Sequence, residues 1–268
     1  MKLSDAVKLL RNAGIDSASY DAREIFLHIG GFSRNELLFS DPESFDEKLI
    51  FAVNRREKRE PLQYIIGEVG FYKETYKVSK DCLIPREDTE ILVDYAVKNL
   101  PSGAHFLDIC TGSGCIAIST LKNTKNTTAT AIDISSAALE IAKKNANLNG
   151  ISERISFVES DVLFESVEEK VFAILSNPPY VTEKAYCELE SEIYFEPKIA
   201  FVGGVDGLNF YRKILDDYKD KIDKNGFFAF EIGYDQAESI RSLALEKGLT
   251  AEIIKDLSGN DRVAIIKP

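Results

Sequence analysis

From residue 86 to the end of the chain, short apolar runs of strand character alternate with amphipathic runs of helical period, and few folds accept that alternation. The pattern predicts a helix over 87–98, a strand over 105–109, a helix from about 114, a strand over 128–132 and a helix over 135–149. Strands over 155–158 and 171–175 follow, then a long loop, a helix near 208–222, and strands over 227–232, 251–255 and 263–266. Such an order builds an α/β fold, a parallel sheet covered by helices on both faces. A ligand in such a sheet binds beyond the carboxyl ends of the strands, at the switch point.

The first part of the chain reads differently. Leu3, Ala6, Val7 and Leu10, and then Ala22, Ile25, Phe26 and Ile29, fall at helical spacing. Gly30-Gly31 stops the second helix, Ser33 and Glu36 have the spacing of a capping box, and a further helix over about 45–59 ends at Pro61. Residues 61–85 are rich in aromatic and branched side chains broken by Gly67 and Gly70, the signature of a linker containing a β-hairpin. The chain thus divides into helical residues 1–60, a linker 61–85 and an α/β domain 86–268. The helices either only add stability or dock a partner, and composition does not choose.

Charge and cysteine content exclude several classes. A net charge of -11 works against nonspecific attraction to nucleic acid; local basic patches stay open, with the run Arg55-Arg56-Glu57-Lys58-Arg59 as the foremost candidate and a solvated helix face as its bland alternative. The four cysteines form no C-x-x-C pair and the two histidines, His28 and His105, stand far apart, so no metal site is expected. No leader and no long apolar run points to secretion or membrane spanning, and the expected setting is a reducing cytoplasm.

Two stretches carry chemistry. FLDICTGSGCIAI, residues 106–118, runs from a strand through a glycine turn into a helix, so that Gly112 and Gly114 admit a ligand close to the backbone. Asp133 ends the next strand, where a carboxylate accepts hydrogen bonds from ribose hydroxyls. Asp161 follows the third strand at the same rim, with Val162 beside it, where an adenine amine and ring face would lie. The run Cys110-Thr111-Gly112-Ser113-Gly114 lacks the G-x-G-x-x-G spacing that a pyrophosphate needs, which disfavours a dinucleotide. With Asp108 ahead of it, the loop looks like the S-adenosylmethionine site of Rossmann-like methyltransferases. A ligand-free tight turn and a surface Asp161 that merely caps a turn remain the bland alternatives.

The second stretch is SNPPY, residues 176–180. Each proline disfavours helix in the residue before it, so Asn177, Pro178 and Pro179 make a stiff, extended exit from the strand. The Asn177 side chain and the Pro178 carbonyl are then two fixed acceptors suited to one planar NH2 group, and Tyr180 can pack on a flat substrate and exclude water. The alternative is that the prolines only terminate a strand.

At these residues the sequence resembles the protein-(glutamine-N5) methyltransferases of bacterial peptide chain release factors, the HemK family. The resemblance spans nearly the whole chain: PLQYIIGEVGFY at 61–72, LIPREDTE at 83–90, DICTGSG, SNPPY, FEP at 195–197 with Gly207-Leu208, and GNDRVAI at 259–265. It implies S-adenosylmethionine as cofactor, held by Asp108, the loop from Cys110 to Gly114, Asp133, Asp161, Val162 and Asn177. It also implies a glutamine of a Gly-Gly-Gln loop placed by Asn177, Pro178, Pro179 and Tyr180, with Phe195 and Pro197 nearby, and a release factor gripped by the N-terminal helices. Two residues depart from the pattern: Cys110 stands where a third glycine is common, and Glu87 where a proline is. Arg86 orients either the cofactor or a hinge, or forms a plain salt bridge. NPPY is shared with adenine-N6 and guanine-N2 methyltransferases, which leaves a nucleic acid enzyme as the second reading, and a partner-binding module without activity as the third.

Overall fold

A computed structural model describes residues 1–166, 168 and 170–268. By its internal contacts the chain forms two compact units, one of residues 1–68 with 190–195 and one of residues 69–189 with 196–268.

The first unit is helical: α1 Leu3–Asn12, α2 Ala18–His28, α3 Arg34–Phe39, α4 Glu47–Glu57 and α5 Leu62–Ile66. Its core gathers the apolar stripes around Leu10, Ile25, Phe26, Leu49 and Val53. Ser33 and Glu36 form the expected capping box at the start of α3. Residues 62–66, which read as strand, are helical instead. Pro61 is preset for a helix start, Gly67 closes the helix at φ 83°, and Leu62 and Ile65 bury on the helical core, where an extended segment could not place both. The basic run is consumed inside this unit: buried Arg56 donates to Asp21 at 2.6 Å, Arg55 pairs with Glu60, and Arg59 reaches Gly14 O and Glu192.

The second unit, from Val69, takes in all but the first residue of a hairpin, β1 Glu68–Phe71 and β2 Glu74–Lys77, and a single 3-10 turn, Glu87–Thr89, leads into α6 Glu90–Asn99. Then come β3 His105–Ile109, α7 Cys115–Asn123, β4 Thr128–Asp133, α8 Ser136–Leu148, β5 Ile155–Glu159 and β6 Val171–Ser176. After α9 Glu183–Tyr186 the chain continues through α10 Asn209–Tyr218, β7 Ile222–Glu231, α11 Ala237–Glu246, β8 Thr250–Lys255 and β9 Asp261–Lys267. The strands form one seven-stranded sheet in the order β5-β4-β3-β6-β7-β9-β8. Both faces are covered, so neighbours on one strand enter different cores: Phe106 packs with α6, α7 and α8, and Leu107 with α10 and α11.

The sheet is parallel through β7, and β9 then pairs antiparallel with both β7 and β8. That departs from an all-parallel sheet because only residues 256–260 join β8 to β9, too short for a crossover and sufficient for a hairpin. Strand order reverses between β3 and β6, which pair in parallel with Ile109 opposite Ser176. The glycine turn and SNPPY therefore leave the sheet side by side at its switch point.

Candidate active site

The turn after β3 is held from behind by Asp108. Its Oδ2 accepts from Thr111 Oγ1 at 2.6 Å and from the Ala117 amide at 3.1 Å, tying the turn to the first residues of α7. Burial pushes the Asp108 carboxyl up to about 7 against the pull of those two hydrogen bonds, and its Oδ1 has no protein partner among the described residues. Cys110 sits at φ 60° and Gly112 at φ 53°. A Cβ on Gly112 would meet nothing within 4 Å, so this glycine borders open space. Asp133, at the end of β4, accepts from the Gly112 amide at 2.8 Å and from the Ser135 amide at 2.9 Å. Two main-chain donors thus aim its carboxylate, and burial raises its pKa.

Beyond these groups lies a cavity of about 360 Å³ whose wall includes Gly112, Asp133, Ile134, Asp161, Val162 and Asn177. Asp161 accepts from the Leu163 amide at 3.0 Å, and Val162 is buried beside it. An open volume at a glycine, two carboxylates, Asp133 and Asp161, and an apolar wall of Val162 and Ile134 have the size and chemistry to hold a nucleoside.

The opposite wall is SNPPY. Ser176 Oγ donates to Ile109 O at 2.5 Å, pinning the strand end to β3. A neighbouring strap, residues 197–207, lies on the exit: the Val181 amide donates to Phe201 O at 2.8 Å and the Gly203 amide to Val181 O at 2.9 Å. Only glycine fits at 203, since its Cβ would stand 2.3 Å from Pro179 O. Asn177 Nδ2 donates to Thr89 Oγ1 at 3.3 Å, and Tyr180 Oη donates to Glu231 Oε1 at 3.3 Å.

Of the residues singled out in the sequence, Cys110, Gly112, Asp133, Asp161, Val162, Asn177, Pro179 and Pro197 share this cavity. Asp108, Thr111, Ser113 and Gly114 lie outside its wall, because the turn presents Gly112 and turns its neighbours toward the core. Pro178 and Tyr180 are not in the wall either; the Tyr180 hydroxyl is engaged by Glu231. Phe195 falls in the first unit. Sequence reasoning passed over Thr89, Glu196 and Glu231. Buried Glu196, the middle residue of FEP, accepts from the Ile84 amide at 3.0 Å and from Arg86, so that Arg86 is a salt bridge that ties IPR to FEP. Its signal was the carboxylate inside an otherwise apolar motif.

The family model of the methyltransferase small domain matches residues 87–194, and that of the PrmC N-terminal domain matches residues 2–67. The release factor glutamine methyltransferase of Thermodesulfovibrio yellowstonii is 40% identical over 92% of this chain and 91% of its own length. The chain belongs to the release factor glutamine methyltransferase family. It is an enzyme of the methyltransferase class. A second relative in that family, from Caulobacter vibrioides, is 35% identical over 96% of this chain and 91% of its own. Among solved structures, the ribosomal protein L11 methylase of Lactobacillus delbrueckii subsp. bulgaricus superposes with a TM-score of 0.52 at 20% identity, covering 71% of this chain and 83% of that one. That likeness shows the Rossmann-like methyltransferase fold. Among the described residues no helix is long and apolar enough to cross a membrane, and no group of three or more His, Cys, Asp or Glu residues is placed to hold a metal ion.

Proposed function

We propose that the chain transfers a methyl group from S-adenosylmethionine to the side-chain amide nitrogen, N5, of the glutamine in the Gly-Gly-Gln loop of peptide chain release factors, as a cytoplasmic enzyme. The observation that carries this reading is the fixed amide of Asn177 in the wall of a nucleoside-sized cavity at the switch point of the sheet.

Asp133, Asp161, Val162 and the Gly112 turn hold the cofactor in this reading. When bound, it supplies a methyl carbon activated by a sulfonium. The acidic rim of the cavity favours that positive charge. Asn177 Oδ1 and the Pro178 carbonyl accept the two N–H bonds of the substrate carboxamide, so the nitrogen is held out of conjugation with its carbonyl and its lone pair is directed. An amide in water gains no such orientation. Tyr180, anchored by Glu231, closes the flat substrate group off from solvent. The helices of residues 1–68 engage the body of the release factor in this account, and the overall charge of -11 disfavours nucleic acid as the substrate.

Incubation with methyl-labelled S-adenosylmethionine and separate pools of release factor, RNA and DNA tests this. Label on the Gly-Gly-Gln glutamine is the expected outcome; label in nucleic acid alone contradicts it.

A further inference from the structure

Asn177 can act as an acceptor only if its amide is turned the right way, and its oxygen and nitrogen are nearly the same size. Something must choose between them. The choice is traceable through three side chains. Glu231 ends β7 and is 2% exposed. Its Oε2 accepts from Thr89 Oγ1 at 2.5 Å and its Oε1 from Tyr180 Oη at 3.3 Å. An ionised carboxylate only accepts, so the single hydroxyl proton of Thr89 is committed to Glu231. What remains on Thr89 Oγ1 is lone pairs, and these can take only the Nδ2 side of Asn177, seen at 3.3 Å. The Asn177 oxygen is left for the cavity.

We propose that Glu231 and Thr89 are positioning residues for methyl transfer, a one-way chain of hydrogen bonds that turns the Asn177 carbonyl oxygen toward the substrate carboxamide and anchors Tyr180 at the same time. Neither residue touches the reacting atoms. The inference rests on the carboxamide reading given above. It assigns a use to the threonine in IPREDT and to the arginine in GNDRVAI, neither of which the cofactor site absorbs: Arg262 on β9 bridges Asp88 at 3.3 Å and Asp256 at 3.2 Å and favours the ionised form of Glu231. Burial acts the other way and pushes the Glu231 carboxyl above the usual carboxylate range. The groups that face Glu231 are Thr89 and Asp88 from the turn before α6, Cys115 from α7, Tyr180 from the exit of β6, and Arg262 from β9, while Tyr211 on α10 donates to its main-chain oxygen.

A protonated Glu231 could donate to Thr89, and the chain of bonds would reverse. Thr89 would then give its proton to Asn177, the amide would present N–H groups to the substrate N–H groups, and transfer would stop. Acid should therefore reduce kcat at saturating cofactor with the uptake of one proton.

The test uses the full chain, labelled cofactor and a release factor carrying the Gly-Gly-Gln loop. Thr89→Val, which keeps shape and removes the hydroxyl, should lower kcat by about tenfold to a hundredfold, the cost of a misaimed reacting group. Cofactor affinity should stay near that of the wild type, thermal stability should fall because the buried carboxylate loses a donor, and Thr89→Ser should restore both turnover and stability. Glu231→Gln, which like the protonated acid carries one donor and one acceptor, should be slow at every pH and show no acid limb, with cofactor affinity intact. The proposal is overturned if Thr89→Val turns over normally, if Thr89→Ser is as slow as Thr89→Val while cofactor affinity is intact, or if Glu231→Gln keeps the acid limb unchanged. A wild-type chain that binds cofactor yet leaves the glutamine unlabelled overturns the carboxamide reading and this inference with it, a result distinct from the three above.

Discussion

The turn at 110–114 and the SNPPY exit face each other across one cavity, but the groups that hold them come from different distances along the chain. Asp108 fastens the turn to residues three and nine positions away, and Asp133 to an amide 21 positions back. Asn177 is oriented by a threonine 88 positions away, and Tyr180 by a glutamate 51 positions away. One wall is built from a single β-α-β stretch, the other from four elements that meet only when the sheet is complete. In the proposed reading the first wall binds the cofactor and the second orients the substrate, so changes in the two should separate affinity from turnover.

The largest effect is expected at Asn177. Asn177→Ala removes an acceptor from the reacting group and should lower kcat by about 10²–10³ while leaving most cofactor affinity, read by single-turnover labelling beside a cofactor titration. Normal turnover would remove Asn177 from the account. Asp133→Ala should do the reverse, weakening cofactor binding by about tenfold to a hundredfold, since hydrogen bonds to a charged group are worth about 1.5–3 kcal/mol. A change in kcat at saturating cofactor larger than the change in affinity would erase the division between the walls.

Asp108 gives a smaller, pH-dependent effect. Its folded carboxyl titrates near 7 against an ordinary value of 3.8, so above about pH 4 the unfolded chain releases this proton while the folded chain retains it. The folded state binds more protons there, and the Asp108 contribution to stability falls as pH rises through that window and levels off above about 7. Asp108→Asn, which cannot titrate, should flatten the slope by up to one proton in denaturation curves taken across that range. The smallest effect is at Cys110, which holds φ 60° without being glycine. Cys110→Gly should be more stable than Cys110→Ala by about 1 kcal/mol, because only the alanine keeps the left-handed strain.

The same contrast explains how much was readable beforehand. The alternation of elements, the capping box at Ser33, the glycine turn and the proline exit depend on neighbours in sequence, and each was legible from local rules. The antiparallel end of the sheet depended on the length of one connection, and the helix at 62–66 on which surface its apolar residues met. Thr89 reads as a helix-opening residue and Glu231 as a strand-end carboxylate, and nothing near either announces that they share a proton. Glu196 was hidden for a related reason, since its partner Arg86 lies 110 positions away. The geometry proposed to bind the cofactor is local, and the geometry proposed to orient the substrate is tertiary.

The most direct measurement is a crystal structure of the full chain with the demethylated cofactor and a Gly-Gly-Gln peptide. The account predicts the glutamine nitrogen within about 3.2 Å of both Asn177 Oδ1 and the Pro178 carbonyl, with Asn177 Nδ2 still on Thr89. A glutamine amide bound away from that pair, or an Asn177 that presents its nitrogen to the substrate, would contradict it.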